Sequence, residues 1–182
     1  TKKRMLSEIF EQIKDQWVRA KHQKKHPFRY FVLSTVGPNS FPLARTVVLR
    51  NFDSQALTFT LYTDHRSQKM TDLRASKNAC LLFYDPKKLW QIQVQARLLQ
   101  QSSDPALYQQ IPLSAQKDYT TILAPGSEIS NPEAITYLDG ENFFVSLKFE
   151  AVSIESLKLK RPHHVRTRFD KENKWKGIFL VP

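Results

Sequence analysis

The chain has 182 residues, 41% of them hydrophobic and 25% charged, with a formal charge of +11 and one cysteine. That is enough apolar material for a domain with its own core, and it excludes an intramolecular disulfide framework. No apolar run approaches the roughly 20 residues of a membrane-spanning helix, while the excess of lysine and arginine raises a phosphate-bearing partner, nucleic acid included.

The first element reads as a helix. Leu6, Ile9, Phe10, Ile13 and Trp17 recur at helical spacing on one face, with Ser7 as candidate cap and Glu8 and Glu11 in the first turns. Pro27 disfavours helical geometry in the residue before it, so the helix should fade across 23–26. The basic start, Thr1-Lys2-Lys3-Arg4, leads into an amphipathic segment, which argues against a secretory signal. The missing initiator Met points to processing or to an incomplete chain. Cys80, in the apolar run 79–84, is expected as a buried inert thiol and fits a cytoplasmic location.

From residue 28 the texture turns to β. Runs 28–36, 42–51 and 56–63 are rich in aromatic and β-branched residues and are separated by the turn signals Gly37-Pro38-Asn39-Ser40 and Asp53-Ser54-Gln55. This predicts an antiparallel meander. A short helix follows over Gln68 to Ala75, then a strand over 79–84. Leu89 to Leu99 alternates, with Gln91, Gln93 and Gln95 on one face and Ile92, Val94 and Ala96 on the other. Such a strand is half exposed or lines a polar site. Residues 104–123 are expected to be helical with a break at Pro112, 124–142 irregular, and 143–159 one long strand with a bend. Val165 to Phe169 and Trp175 to Leu180 flank a hairpin-like turn. Seven or eight strands with a few short helices predict a mainly β fold, a β-barrel with peripheral helices, in one domain over 1–182 with the helix 1–26 packed on it.

The sequence holds four glycines and no Gly-rich dinucleotide or P-loop fingerprint. Neighbouring strand residues point to opposite faces, so His163-His164 is a poor chelate. His22 and His26 fall in a lysine-rich helix end and read as solvated. No metal site is predicted. No Gly-x-Ser-x-Gly elbow supports hydrolase chemistry. What remains is an anion seat. Thr63-Asp64-His65-Arg66-Ser67-Gln68-Lys69 packs hydroxyls and cations where a strand hands over to a helix N-terminus, whose free N–H groups and dipole favour a phosphate. Arg45 and Arg50, five apart on a predicted strand, face opposite ways unless a bulge intervenes. Arg45 could grip a phosphate bidentately. The alternative is a charged strand end beside an N-capped surface helix.

At these residues the chain resembles the pyridoxamine 5′-phosphate oxidase-related family of FMN-binding split barrels. The matching pieces stand in family order: Arg45-Thr46-Val47-Val48-Leu49-Arg50, Leu61-Tyr62-Thr63, Ser67-Gln68-Lys69, Trp90-Gln91-Ile92-Gln93-Val94, and Arg168-Phe169 before a terminal hairpin. The resemblance implies an FMN cofactor whose phosphate is held by Arg45, Ser67 and Lys69, with Gln68 beside them. It implies that the strand at Val47, Val48 and Arg50 runs along the isoalloxazine ring, main-chain groups facing its polar edge. Tyr62 and Thr63 would serve the ribityl and phosphate end, and Gln91 would hydrogen-bond the flavin. It further implies a homodimer, with Ser127 and Arg168 reaching FMN from the second subunit. Much of the basic charge would then serve FMN and not nucleic acid.

The departures touch the cofactor site first and the substrate site more. The oxidases usually have Arg at the position of Gln68 and a Trp near Leu157. Their substrate phosphate is held by a Tyr, an Arg and a Ser. Here Tyr108 matches the first, the Arg position falls near Pro112 or Leu113, and the Ser position near Lys117. Their Arg-x-His is replaced by His164-Val165-Arg166, which leaves His164 and Arg166 as candidates for contacting a substrate. The resemblance thus points to the uncharacterised FMN-binding branch, with the Ala124-Pro125-Gly126 turn, and to an FMN-dependent oxidoreductase of unknown substrate. Alternatives are a true pyridoxamine or pyridoxine 5′-phosphate oxidase, a non-catalytic flavin-binding protein, and a basic nucleic-acid binder.

Overall fold

A computed structural model describes residues 1–182. Helix α1 (Lys2–His22) is followed by strands β1 (Tyr30–Val36), β2 (Pro42–Val48), β3 (Asn51–Asp53) and β4 (Thr58–Asp64), helix α2 (Gln68–Ala75), and strands β5 (Asn78–Asp85) and β6 (Trp90–Ser102). Short helices α3 (Pro105–Gln109) and α4 (Leu113–Gln116) lead into an irregular stretch, then β7 (Phe144–Lys158), β8 (Val165–Asp170) and β9 (Gly177–Leu180). No helix is long and apolar enough to cross a membrane.

All nine strands belong to one antiparallel sheet ordered β2-β1-β5-β6-β7-β4-β3, with β8 and β9 branching from β7. β7 has β6 along one edge. On its other edge the first half pairs with β4 (Phe144↔Asp64 to Glu150↔Thr58) and the second half with β8 (Ser153↔Asp170 to Lys158↔Val165). The sheet therefore splits at the middle of β7, opposite irregularities at Gln95/Ala96 and Leu98/Gln100 that bend β6.

The predicted meander is corrected here. β1 and β2 do form a hairpin, but β4 pairs with β3 and β7 and not with β2. The predicted single strand 42–51 is two strands, because the intervening amides turn away: Leu49 N–H donates to Arg29 O and Arg50 N–H to Thr60 O, both at 2.8 Å. Those two residues carry the chain from one end of the sheet path to the other and draw the curled sheet together.

The curl encloses aromatic side chains. Trp17 is fully buried, with ring centroids 4.8–5.5 Å from Phe52, Phe59 and Phe83. Leu6, Ile13 and Ala20 join the same core. α1 begins at Lys2, with Thr1 at its N-cap, so Ser7 is no cap. Residues 104–123 form two short helices and a 3-10 turn, because Pro112 breaks the helix and becomes the N-cap of α4. Cys80 is half buried on the outward side of β5, and burial raises its thiol pKa. His26 is a half-buried structural residue and not a solvated one. Its Nδ1 accepts the Phe28 N–H at 3.0 Å and its ring packs edge-on against Phe28.

Two outcomes follow from this packing. Gly177 lies where β9, β8 and α1 meet, and a Cβ there would stand 2.4 Å from Phe169 Cε1. Gly177→Ala should lower stability by about 1–3 kcal/mol, read as a drop in Tm. Burial, and next the Lys88 charge, lower the pKa of His26. The unfolded chain therefore binds this proton more readily, so the stability it contributes is present above about pH 6.5 and is lost as pH falls toward the lowered folded value. In His26→Gln, chemical denaturation should show that step in the pH profile removed.

Candidate functional site

Helix α2 starts a short turn after β4 ends, and Asp72 of its second turn faces Arg45 of β2. Ser67 occupies the N-cap in extended conformation, yet its side chain makes no capping bond. The amides of Gln68 and Lys69 have no protein acceptor. Ser67 Oγ instead lies 3.2 Å from Thr63 Oγ1, and Lys69 Nζ donates to both hydroxyls, at 2.9 Å and 3.3 Å. Lys69 makes no ion pair. Burial, and next the neighbouring Arg45, lower its pKa, partly offset by Asp64 and Asp72.

Arg45 comes from β2, where Leu43, Arg45 and Val47 alternate inward. Its Nη1 donates to Thr35 Oγ1 at 2.6 Å and to the carbonyls of Leu33 and Leu43 at 3.3 Å and 3.2 Å, and Nη2 faces Asp72 Oδ2 at 3.4 Å. Asp72 is 3% exposed and also accepts from Thr35 Oγ1 and the Gln68 amide. Gln68 thus turns along its own helix toward Asp72. Arg66 is tied elsewhere. It pairs with buried Asp64 at 2.7 Å, donates to the carbonyls of Thr121 and Ile122, and lies over the Phe143 ring at 3.3 Å.

Arg50 lies beyond the end of β2, in the two-residue step to β3, so the face expected from its spacing on a single strand does not apply. Its guanidinium stands 5.3 Å from the Tyr62 ring centroid and makes no ion pair. Tyr62, Tyr108 and Tyr119 surround Phe144 with ring centroids 5.0–5.6 Å away, and burial raises the pKa of each phenol. β2 lies at the end of the sheet path, so alternate main-chain groups at Val47 and Val48 have no strand partner.

The structure therefore brings Arg45, Thr63, Ser67, Gln68 and Lys69 together, while Arg50 and Tyr62 contact each other and make no side-chain hydrogen bond to this cluster. A second group stands on the outward face of the sheet. Gln91, Leu157 and Arg166 lie in one register row across β6, β7 and β8, and Gln93, Glu155 and Arg168 in the next. Arg166 pairs with Glu155 at 2.7 Å, and Arg168 bonds Asp170 at 3.1 Å. His164 is exposed, and its Nδ1 accepts the Lys160 N–H. Ser127 lies exposed in the irregular stretch, whose N–H bonds Ala124 O. Within one chain neither Ser127 nor the outward rows hydrogen-bond to the α2 cluster. Sequence reasoning missed Thr35 and Asp72. The i, i+4 spacing of Gln68 and Asp72 was a readable signal; nothing in the sequence marked Thr35.

The family model for the pyridoxamine 5′-phosphate oxidase, FMN-binding domain, matches residues 8–100, more than half of the chain. The chain belongs to that family. A pyridoxine/pyridoxamine 5′-phosphate oxidase of Myxococcus xanthus is 39% identical over 67 residues, 37% of this chain and 32% of that protein. The match spans about a third of that relative's length. Among solved structures, a pyridoxamine 5′-phosphate oxidase-related FMN-binding protein of Nostoc punctiforme superposes with a TM-score of 0.74 at 22% identity, covering 91% of this chain and 95% of the other. PhzG of Burkholderia lata, solved with tetrahydrophenazine-1-carboxylic acid, gives 0.77 at 16% identity, covering 94% and 91%. These superpositions establish the fold expected from the sequence, a split barrel of the FMN-binding kind.

Arg66 fastens the irregular stretch to the start of α2. Arg66→Ala should expose buried Asp64 to an unpaired state and cost about 3 kcal/mol. Faster amide exchange across 120–124 than in the wild type is the expected measurement.

Proposed function

We propose that this chain binds FMN, with its phosphate at the start of α2, and acts as an FMN-dependent oxidoreductase. The observation that carries the reading is Lys69: a partly buried ammonium with no carboxylate partner, held by two hydroxyls beside two unfilled helix-end amides. A buried charge is costly unless compensated, and a phosphate supplies the missing anion. Arg45 adds a second cation whose Nε–H makes no protein bond. The donor set of hydroxyls, cations and amides fits a phosphate monoester.

The remaining residues have consistent roles in this reading. The free edge of β2 at Val47 and Val48 offers main-chain groups to a flat, polar-edged ring. Arg50, which makes no ion pair and stands near the Tyr62 ring, is a further cation open to a ligand. FMN when bound supplies hydride or electron transfer, and the protein supplies orientation and electrostatics. Gln91, Ser127 and Arg168 lie away from the α2 cluster in one chain, which supports a homodimer in which a second copy brings them to the flavin. His164 and Arg166, at the start of β8, would then lie toward the substrate. That substrate is a small molecule whose identity the chain leaves open. Tyr108 spends its hydroxyl on Gln116 O, and Leu113 and Lys117 are exposed, so no phosphate clamp stands on α3 and α4. This favours a substrate other than pyridoxamine 5′-phosphate.

Purified protein reconstituted with FMN should show oxidised-flavin absorption and release FMN on denaturation. A protein that stays colourless with FMN in excess would remove the proposal. In a flavin fluorescence titration, Arg45→Ala and Lys69→Ala should each weaken FMN binding by about 1.5–3 kcal/mol, the range of a charged hydrogen bond.

A further inference from the structure

We propose that Asp72 is a positioning residue of the phosphate seat, whose buried carboxylate fixes the Arg45 guanidinium at the start of α2 before any anion arrives. The proposal rests on reading that seat as the FMN phosphate site. Asp72 does not line the seat as a ligand could. It sits beneath, 3% exposed, on the second turn of α2.

Each of its oxygens is engaged. Oδ2 accepts the Thr35 hydroxyl at 2.6 Å and faces Arg45 Nη2 at 3.4 Å, while Oδ1 accepts the Gln68 amide at 2.9 Å. Thr35 Oγ1 in turn accepts Arg45 Nη1 at 2.6 Å. A relay therefore runs from Arg45 through Thr35 to Asp72, with a direct ion pair beside it. Burial pushes the Asp72 carboxyl up, but Thr35, Gln68 and Arg45 together outweigh it and hold the group below its ordinary value. The carboxylate is thus ionised within a complete set of donors, the condition under which a buried charge is tolerated.

Two consequences bear on anion binding. A free arginine side chain loses much rotamer freedom when it binds. Arg45 has already lost it, because β1, β2 and α2 all hold its Nη atoms, and its Nε–H stays available. Pre-organisation of this kind raises affinity by lowering the ordering cost. The second consequence concerns Lys69. The charged groups facing it are Arg45 from β2, Asp64 from the end of β4 and Asp72 from its own helix. Asp64 is already held by Arg66. Without the Asp72 charge, Arg45 and Lys69 would be two cations face to face, and Lys69 would give up its proton at lower pH.

The test is a fluorescence titration of wild type, Asp72→Asn and Gln68→Leu with FMN and with riboflavin, which lacks the phosphate. Wild type should prefer FMN. If it does not, the seat is misread, and that failure is separate from any statement about Asp72. Asp72→Asn should bind FMN about tenfold more weakly near neutral pH, the loss of one charge-assisted contact, with riboflavin affinity unchanged. Its FMN affinity should also begin to fall at lower pH than in the wild type. Gln68→Leu, which removes one donor to Asp72, should weaken FMN in the same direction by about threefold. If Asp72→Asn keeps the wild-type FMN affinity and pH profile, or weakens both ligands equally, the residue is only structural and the proposal fails. If that variant does not fold, Gln68→Leu decides, and an unchanged FMN affinity there overturns the proposal.

Discussion

Trp17 stands among the buried aromatic side chains that the curled sheet encloses. Its indole touches Phe52 of β3, Phe59 of β4 and Phe83 of β5; β3 and β4 are paired at one end of the sheet path, and β6 and β7 separate them from β5. Burying one large aromatic ring removes on the order of 150–250 Å² from water, and here a single helix residue packs the β3–β4 end of the sheet against β5. The indole N–H has no hydrogen-bond partner there. The aromatic contacts have to outweigh that loss, which measures how strongly the interior depends on this ring.

The same closure creates the site. When the ends of the sheet approach, the chain steps from β2 to β3 through Leu49 and Arg50, whose amides bond Arg29 O and Thr60 O. β2 is left with a free edge near the end of β4. The turn after β4 then delivers α2 with its N-terminus toward Arg45. A mostly apolar barrel interior thus ends in a polar layer, Thr35, Arg45, Thr63, Ser67 and Lys69 over Asp72. Position in the fold, and not composition, makes these residues a group: they come from β1, β2, β4 and α2.

Charge in this layer is balanced unevenly. Arg45 and Arg66 each have a buried carboxylate, Asp72 and Asp64, whereas Lys69 has only hydroxyls. Lys69 is thus the cation of this layer that no carboxylate neutralises. The net charge of +11 says nothing of this division. Most of the cations lie in exposed stretches such as 19–25 and 158–166, where solvent screens them.

Periodicity determined much of the secondary structure. The helix over Gln68–Ala75 was legible to the residue, and so was the alternation of β6, because a strand with one buried face must repeat every second residue. The order of short motifs was enough to identify the family and so the split barrel. Other features were set by distance in the fold. The break of 42–51 into β2 and β3 depends on carbonyls at residues 29 and 60, which no local window contains. The pairing of β4 with β7 spans some eighty residues of sequence. His26 read as solvated because its neighbours are lysines, yet Phe28 and the β5–β6 turn cover it. Gln68 was visible as a departure in a motif, and its hydrogen bond to Asp72 lies within α2, but the Thr35 relay exists only because β1, β2 and α2 meet. The sequence alone therefore determined that hydroxyls and cations cluster over 63–69 beside a helix start. Tertiary structure decided which of the nearby cations have a carboxylate partner and which do not, since pairing is a property of neighbours in space.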